Sequence, residues 1–208
     1  MPTNIKHSSK SREWYTPSVF TDLAREVMGE IELDPASTSL AQGWINAKKY
    51  FTIADDGLNR NWSGKVWLNP PYGRNTKLWI EKLMRSYFNG EVTEAITLVA
   101  PHVSSNWFKE LSRYFVRCET FTRIKFFGFH LPNNVQTSFW RTLLCLYPEA
   151  AILYLIAKDR PAHGNVFFYL GKNNDEFAKT FSEVGIVSKP YYSHVKPKLN
   201  GSLRLLGS

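Results

Sequence analysis

Three strand-like segments in the first half of the chain each stop at a proline, and helix-like segments separate them. The strands are predicted over residues 30–33, 65–68 and 94–100, and Pro35, Pro70 and Pro101 follow them. Because proline has no backbone N–H to give to a sheet, a strand must end there. Helices are predicted from residue 37 or 38 to about 48 and from about 76 to 88, and further strands over residues 120–127, 142–147, 151–156 and 166–170. Strands that alternate with helices predict an α/β fold, with a mostly parallel sheet flanked by helices. Such sheets bind ligands at the carboxyl ends of their strands, so the proline turns mark where a site is expected.

Composition excludes several classes of protein. Of the 208 residues, 43% are hydrophobic and 21% charged, as in a globular domain. The longest apolar run, residues 150–157, is far too short to cross a membrane, and the polar residues 1–12 do not form a secretory signal. Cys118 and Cys145 lack a CxxC spacing, and the five histidines lack metal-ligand spacing. We therefore expect a cytoplasmic protein with reduced cysteines, no metal site and no membrane contact.

Positive charge is concentrated at the two ends of the chain. The net charge is +8, from 26 Lys and Arg against 18 Asp and Glu. The basic residues of the two ends, which contain no acid, are Lys6, Lys10 and Arg12, then Lys189, Lys196, Lys198 and Arg204. We predict one domain over residues 13–186, between a basic arm at 1–12 and a basic tail at 187–208. Basic arms on a nearly neutral body suit a polyanionic partner, although solvated tails have the same composition.

The most specific motif is Asn69-Pro70-Pro71-Tyr72-Gly73, directly after the strand at 65–68. Pro70 forces Asn69 out of the helical region, so the chain leaves the strand rigidly, with carbonyl oxygens at the mouth of the sheet. The Asn69 side-chain oxygen and the Pro70 carbonyl can then accept the two hydrogens of a planar NH₂ group. Two fixed acceptors favour the positive nitrogen that forms when such an amine attacks a methyl sulfonium.

An aromatic ring completes this predicted catalytic set of Asn69, Pro70, Pro71 and Tyr72. Chemistry on a base of a duplex requires the base to leave the stack, and Tyr72 offers a face on which it can rest. The alternative interpretation is a structural turn at the end of a strand, in which a Pro-Pro pair is common.

Other motifs accompany this one in a fixed order. The residues are Glu13-Trp14-Tyr15-Thr16-Pro17, then Leu33-Asp34-Pro35-Ala36-Ser37, then Asp56-Gly57-Leu58 with Trp62, then Val66-Trp67-Leu68-Asn69-Pro70-Pro71-Tyr72-Gly73. In this order and spacing they resemble the phage-type DNA adenine-N6 methyltransferases of the Dam group. The resemblance implies a Rossmann-like class I methyltransferase fold, S-adenosylmethionine as the methyl donor and double-stranded DNA as the substrate. It also implies a phage or bacterial setting, in which methylation protects DNA from restriction.

The resemblance assigns three groups of residues to the methyl donor. Trp14, Tyr15, Thr16 and Pro17 would border its methionine end, Asp34, Pro35, Ala36 and Ser37 would form the turn beneath it, and Asp55, Asp56 and Gly57 would approach its adenosine. Independently, Asp34 can pair with the donor's ammonium, a helix start at Thr16 can receive its carboxylate, and aromatic faces favour a sulfonium. The alternatives are a capping turn at Asp34, an Asp-Gly surface turn, and ordinary packing of the two aromatics. The usual Gly-x-Gly after the first acidic strand is missing.

DNA contacts are expected in the second half of the chain, with target recognition within about residues 101–165. Basic side chains interleaved with aromatics suit phosphate contact and base stacking, and amide side chains in a loop can read adenine edges. The candidates are Arg123, Lys125, Asn133, Asn134 and Arg141 in this half, together with Arg74, which directly follows the Pro-Pro motif in the first half. Strand aromatics that simply fill a core, and an ordinary polar loop, are the competing interpretations.

Two other classes of function fit parts of the pattern. A protein glutamine amide or the N4 amine of cytosine is also a planar NH₂ group, so the same acceptors would serve a methyltransferase with that substrate. The missing Gly-x-Gly also allows a non-catalytic nucleic-acid-binding relative that has lost the donor. The recognition sequence, any partner nuclease and the oligomeric state cannot be read from the residues.

Overall fold

The computed structural model describes residues 14–129, 155–157 and 164–190. The predicted basic arm, the strand expected at 142–147, most of the predicted tail and the candidates Asn133, Asn134 and Arg141 lie outside these residues. Within the described ranges, no helix is long and apolar enough to span a membrane.

Helices and strands alternate through the described chain. The helices are α1 (Ser18–Met28), α2 (Gln42–Ile45), α3 (Thr76–Phe88), α4 (Asn106–Tyr114) and α5 (Asn174–Phe181), with 3₁₀ turns at Ile53–Asp55 and Gly57–Asn59. The strands are β1 (Leu33–Asp34), β2 (Lys49–Tyr50), β3 (Gly64–Leu68), β4 (Val92–Val99), β5 (Val116–Thr120), β6 (Phe127–Phe129), β7 (Leu155–Ala157), β8 (Val166–Leu170) and β9 (Gly185–Ser188).

Seven of the described strands form one mixed sheet in the order β2-β1-β3-β4-β8-β5-β9. The first four are parallel to one another. Strand β8 is antiparallel to both β4 and β5, so β5 runs in the same direction as the first four, and β9 runs against it. Strands β6 and β7 pair separately. The mostly parallel sheet with flanking helices confirms the predicted α/β methyltransferase-type fold.

The sheet is packed on both faces, because side chains alternate between the faces along a strand. Trp67 belongs to a hydrophobic cluster with α1 and α5. Its neighbours Val66 and Leu68 belong to the opposite cluster, with α3 and α4. All three side chains are fully buried. Strand β3, which leads into Asn69, is therefore held rigidly between two helical layers.

The predicted elements were correct in type near the Pro-Pro motif and at β8, which spans the predicted residues 166–170, and less accurate at three other points. The helix expected from residue 37 or 38 to about 48 forms only α2, which ends where Asn46 takes a left-handed conformation with φ of 51°. Strand β5 covers 116–120, whereas a strand was predicted over 120–127. Strand β9 was not predicted; its exposed edge gives a weak pattern, and it continues two residues into the predicted tail.

Candidate active site

The topology of the sheet defines one crevice for a ligand. Strand β1 connects through α2 to β2 on one side, whereas the neighbouring β3 connects through α3 to β4 on the other. In open α/β sheets, ligands bind outside the carboxyl ends of the strands at such a reversal. The residues at this point are Asp34, which ends β1, with Pro35, and Asn69-Pro70 after β3. Two of the predicted motifs therefore meet at the expected place.

The side chain of Asn69 is held in a defined orientation. Its Nδ2 donates to the Trp14 carbonyl oxygen at 3.3 Å and to the Thr16 hydroxyl at 3.0 Å. A carbonyl oxygen can only accept, so the NH₂ end of the amide must face Trp14. The amide oxygen Oδ1 is consequently directed away from these partners. It is buried, and no donor among the described residues reaches it.

Residues 69–73, here called the Pro-Pro loop, are fixed by a threonine that the sequence reasoning missed. The buried hydroxyl of Thr76 donates to the Pro71 carbonyl at 2.9 Å and accepts from the Gly73 N–H at 3.0 Å. Gly73 has φ of 136°, a conformation that favours glycine. Thr76 is the first residue of α3, so the helix start also anchors the loop. A hydroxyl residue three positions after a glycine turn was the available signal.

Tyr72 is partly exposed. The residue is 36% exposed, and its ring meets Phe126 edge-on at 6.3 Å. Burial raises the pKa of Tyr72, and the polar side chain of Asn165 opposes that rise. Asn165, which stands directly before β8, is a second site residue that the sequence did not reveal.

An aromatic cavity lies beside Tyr72. Its volume is about 190 Å³, and it is lined by Trp14, Tyr72, Ala100, His102, Phe126, Gly164 and Asn165. Trp14 meets Phe126 edge-on at 5.7 Å, so three aromatic rings surround the space. The cavity is smaller than the roughly 300–1,000 Å³ of pockets for whole drug-sized ligands. It suits a single flat ring system.

The segment 14–17, predicted to border the donor, divides between two environments. Trp14 lines the aromatic cavity. Tyr15 is buried against Trp44, and the Trp44 Nε1 donates to the Thr16 carbonyl at 2.9 Å. The expected helix cap at Thr16 is wrong: Pro17 is the N-cap of α1, and the Thr16 hydroxyl accepts from Asn69 instead.

Asp34 lies inside its own turn. It is 2% exposed, and its two oxygens accept from the Ala36 N–H at 3.3 Å and from Gln42 Nε2 at 3.1 Å. Gln42 Nε2 also donates to the Ser37 hydroxyl at 2.7 Å. Burial raises the pKa of Asp34 to about 6, and the hydrogen bonds from Ser37, Ala36 and Gln42 oppose that rise. This geometry favours the capping-turn interpretation of Asp34 over direct pairing with an ammonium.

Gly57 packs against the same turn. A Cβ at this position would stand 2.0 Å from the Pro35 carbonyl oxygen, so only glycine fits. The neighbouring Asp56 adopts a left-handed conformation, with φ of 52°, and Asn59 donates to its side chain. Asp55 accepts from both the N–H and the hydroxyl of Thr52, which lowers its pKa. Gly57 and the Pro35 turn are thus adjacent, and Asp55 acts as a cap of the 3₁₀ turn.

Comparison with known families identifies the family to which the chain belongs. Residues 3–159, more than half of the chain, match the family model of the DNA N-6-adenine-methyltransferases (Dam). The chain belongs to the Dam family. No curated protein and no solved structure shows a significant match. The family assignment confirms the resemblance drawn from the motifs at 13–73.

Three of the DNA-contact candidates of this Dam-family protein lie among the described residues, next in sequence to residues that line the aromatic cavity or its loop. Arg74 follows the Pro-Pro loop and is exposed. In the extended stretch 123–126, Arg123 and Lys125 are exposed while Ile124 and Phe126 are buried. Since Phe126 lines the cavity, the two basic residues face outward from its wall. Among the described residues, no group of His, Cys, Asp or Glu side chains could hold a metal ion.

Removing the Thr76 hydroxyl should loosen the Pro-Pro loop. Thr76→Val keeps the shape of the side chain but leaves the Pro71 carbonyl and the Gly73 N–H without their partner. We expect the free energy of unfolding to fall by about 1–3 kcal/mol. Urea denaturation measures the change, and Thr76→Ser is the matched control that keeps the hydroxyl. Equal stability of the Val and Ser variants would show that the bridge has no role.

The buried Asp34 should make stability depend on pH. Its folded pKa is about 6, whereas an unfolded aspartate titrates near about 4. The native state therefore binds more protons between these values, and the free energy of unfolding falls as the pH rises from about 4 to 7. The expected fall is on the order of 3 kcal/mol. Asp34→Asn removes this contribution.

The measurement is urea denaturation at several pH values for wild type and Asp34→Asn. The difference between the two proteins should change over pH 4–7 in the stated direction. Asp175→Asn makes the same chemical change at an exposed position and serves as the control. If the Asp34→Asn variant follows the wild-type pH profile throughout, that result contradicts the raised pKa of Asp34.

Proposed function

We propose that this protein transfers a methyl group from S-adenosylmethionine to the exocyclic N6 amine of adenine in double-stranded DNA. The observation that carries the proposal is the buried, unpartnered Oδ1 of Asn69 at the end of β3, next to the loop that bears Tyr72. Membership of the Dam family supports both the reaction and the base. A protein with this activity acts where DNA is present, in the cytoplasm of a bacterium or a phage-infected cell.

Asn69 and Pro70 would hold the amine that reacts. The lone pair of an amine on a purine ring is delocalised, so the nitrogen is a weak nucleophile until it becomes pyramidal. The Asn69 Oδ1 and the Pro70 carbonyl would each accept one of its two hydrogens. Fixed acceptors favour the positive nitrogen of the transition state over the planar ground state, which is the condition for catalysis. Bound S-adenosylmethionine supplies an electrophilic methyl carbon on a positively charged sulfur.

The aromatic cavity would receive the base after it has left the duplex. Chemistry on the amine requires this extrusion, which breaks stacking and pairing. The rings of Trp14, Tyr72 and Phe126 can replace the lost stacking with contacts of their own. Asn69 is not among the residues that line the cavity, but it is hydrogen-bonded to Trp14, which is one of them. The predicted catalytic residues thus adjoin the place proposed for the base.

The crevice between β1 and β3 would hold the methyl donor. The turn at Asp34, Pro35, Ala36 and Ser37 would support it from below, with Asp34 stabilising the turn from inside. Gly57 packs against Pro35, so the segment with Asp55 and Asp56 borders the same crevice. The free N–H groups that a helix start leaves would receive the donor carboxylate at α1, next to Thr16 and Pro17. The tight packing of Gly57 on Pro35 keeps the floor of the crevice defined without a Gly-x-Gly.

Loss of the Asn69 acceptor should abolish most of the methyl transfer. Asn69→Ala removes a group that acts on the transition state, so we expect kcat to fall about 10²–10³-fold. Tyr72→Ala should weaken binding of the extruded base by about 1–3 kcal/mol. The assay follows radiolabel from S-adenosylmethionine into duplex DNA. Asn75→Ala, an exposed position without a side-chain cap bond, is the matched control and should keep full activity.

Product analysis separates the proposal from its competitors. Labelled N6-methyladenine after nucleoside digestion supports it, whereas label in N4-methylcytosine or in cell protein would assign the same acceptors to another planar NH₂ group. Calorimetry with S-adenosylmethionine distinguishes an enzyme from a module that no longer binds the donor. Unlabelled DNA from a wild-type protein saturated with donor would overturn the proposed activity. Modification mapping of a host that expresses the protein would report the recognition sequence.

Lys125 should contribute one phosphate contact to DNA binding. Each neutralised phosphate adds about 0.9 to the slope of log affinity against log salt. Lys125→Ala should therefore reduce that slope by about 1 and weaken binding similarly for all sequences. The control is Lys172→Ala. Lys172 follows β8, which runs against the parallel strands and therefore finishes at the opposite end of the sheet from their carboxyl ends. Fluorescence anisotropy with a duplex at several salt concentrations gives both slopes, and equal slopes for the two variants would remove Lys125 from the interface.

A further inference from the structure

A short turn joins β4 to α4 beside the aromatic cavity. Ala100 and His102, which follow β4, both line that cavity. Residues 102–105, here called the β4–α4 turn, then redirect the chain before α4 begins at Asn106. Because β4 is parallel to β3, the turn lies at the same end of the sheet as the Pro-Pro loop. The β4–α4 turn therefore forms part of the rim of the cavity.

The backbone of the β4–α4 turn is closed by one serine. The His102 carbonyl accepts from the Ser105 N–H at 2.9 Å and from the Ser105 hydroxyl at 2.8 Å. A bond from a carbonyl to the N–H three residues later closes a β-turn, and its two corner positions are Val103 and Ser104. Two donors on one carbonyl thus fix the shape of the tip.

Aromatic packing ties the β4–α4 turn to the core. The His102 ring meets the Trp107 ring at 5.7 Å between ring centres, and Trp107 in turn meets Phe108 edge-on at 5.7 Å. Phe108 packs edge-on against Phe168 of β8, which is fully buried. Val103 takes no part in this packing and is 69% exposed. A rigid turn therefore presents an apolar side chain to solvent at the rim of the cavity.

The turn itself does not require a valine at this corner. The residues that favour turn corners are Gly, Pro, Asn, Asp and Ser, and a branched apolar side chain gains nothing from exposure to water. The surroundings suit a polyanion, because residues 100–109 contain no acid and Lys109 of α4 is exposed. The next acid, Glu110, is already paired with Arg113. DNA can thus approach the tip without charge repulsion from the turn.

We propose that Val103 enters the duplex and fills the space that the target adenine leaves when it turns into the aromatic cavity. The inference rests on the proposed function, because methylation of the amine requires this extrusion. Extrusion leaves the neighbouring bases without a stacking partner, and apolar side chains inserted at base steps take that place in proteins that unstack DNA. Val103 acts on the duplex and does not touch the reacting amine.

A duplex with an abasic site at the target position separates gap filling from contact with the base. Val103→Ala removes two methyl groups from the gap, so it should weaken binding to this duplex about tenfold. Tyr72→Ala should leave that affinity unchanged, because the base that its ring would meet is missing. On the intact duplex both variants should bind more weakly than wild type. Fluorescence anisotropy gives the four affinities, at a site located by modification mapping.

Two further variants distinguish insertion from a general effect of truncation. Ile186→Ala shortens an aliphatic side chain of similar exposure, 65%, on the edge strand β9 and should bind both duplexes as wild type does. Val103→Ile keeps the apolar bulk of the tip and should retain the wild-type affinity. If Val103→Ala binds the abasic duplex as tightly as Ile186→Ala does, Val103 does not fill the gap and the proposal is wrong.

The winding of a closed plasmid gives a readout that needs neither methyl transfer nor a known recognition sequence. Insertion at a base step unstacks and untwists the duplex. A plasmid relaxed by topoisomerase in the presence of wild-type protein should therefore be negatively supercoiled once the protein is removed. At equal amounts of bound protein, Val103→Ala should leave fewer supercoils, and Ile186→Ala as many as wild type.

The two possible failures are distinguishable in this assay. A wild-type protein that binds the plasmid without unwinding it, or a Val103→Ala variant that unwinds it fully, refutes the insertion. A protein that unwinds DNA through Val103 but methylates none refutes only the proposed reaction.

Discussion

The site depends on how the amide of Asn69 is held. Because the Trp14 carbonyl can only accept, the NH₂ end of the amide is committed to Trp14 and Thr16, and Oδ1 is left buried without a donor. A buried acceptor without a partner costs about 1–3 kcal/mol, and native proteins hold few of them. The cost is understandable if a ligand supplies the missing donor. The same two bonds also bring the segment before α1 against the Pro-Pro loop, so both sides of the site are assembled around one side chain.

The parts of this arrangement that the sequence predicted are those with local signals. Helix α3 was predicted with both of its ends, because its apolar residues recur at helical spacing, and β3 was predicted because prolines follow it. Asn165 could not be found in this way. Its place in the cavity wall exists only because β8 inserts between β4 and β5, which brings the residue before β8 into the cavity that Tyr72 also lines. Thr76 was visible as a helix start, but its bridge requires the folded loop.

Sequence motifs identified which residues come to the mouth of the sheet, but not what each of them faces. Trp14 was predicted to border the donor, and the structure places it in the wall of the aromatic cavity with Tyr72. Asp34 was predicted to pair with an ammonium, and in the structure it accepts hydrogen bonds within its own turn from Ala36 and Gln42. A motif fixes the position of a residue along the chain, whereas the direction of its side chain is fixed by the partners that the folded chain brings to it.

In the proposed function, the stretch after β5 would link DNA recognition to chemistry. Lys125 is exposed and Phe126 is buried, so one segment presents positive charge outward and forms part of the cavity wall. The side-chain oxygen of Asn165 accepts a hydrogen bond from the Ile124 N–H in the same segment, and Ile124 is itself buried in the core. Because Lys125 and Phe126 belong to one anchored segment, Lys125 could not move toward a phosphate without also moving the cavity wall. For the same reason, a duplex bound on the Lys125 side of the segment would bring its extruded base to an aromatic cavity whose wall is already in place.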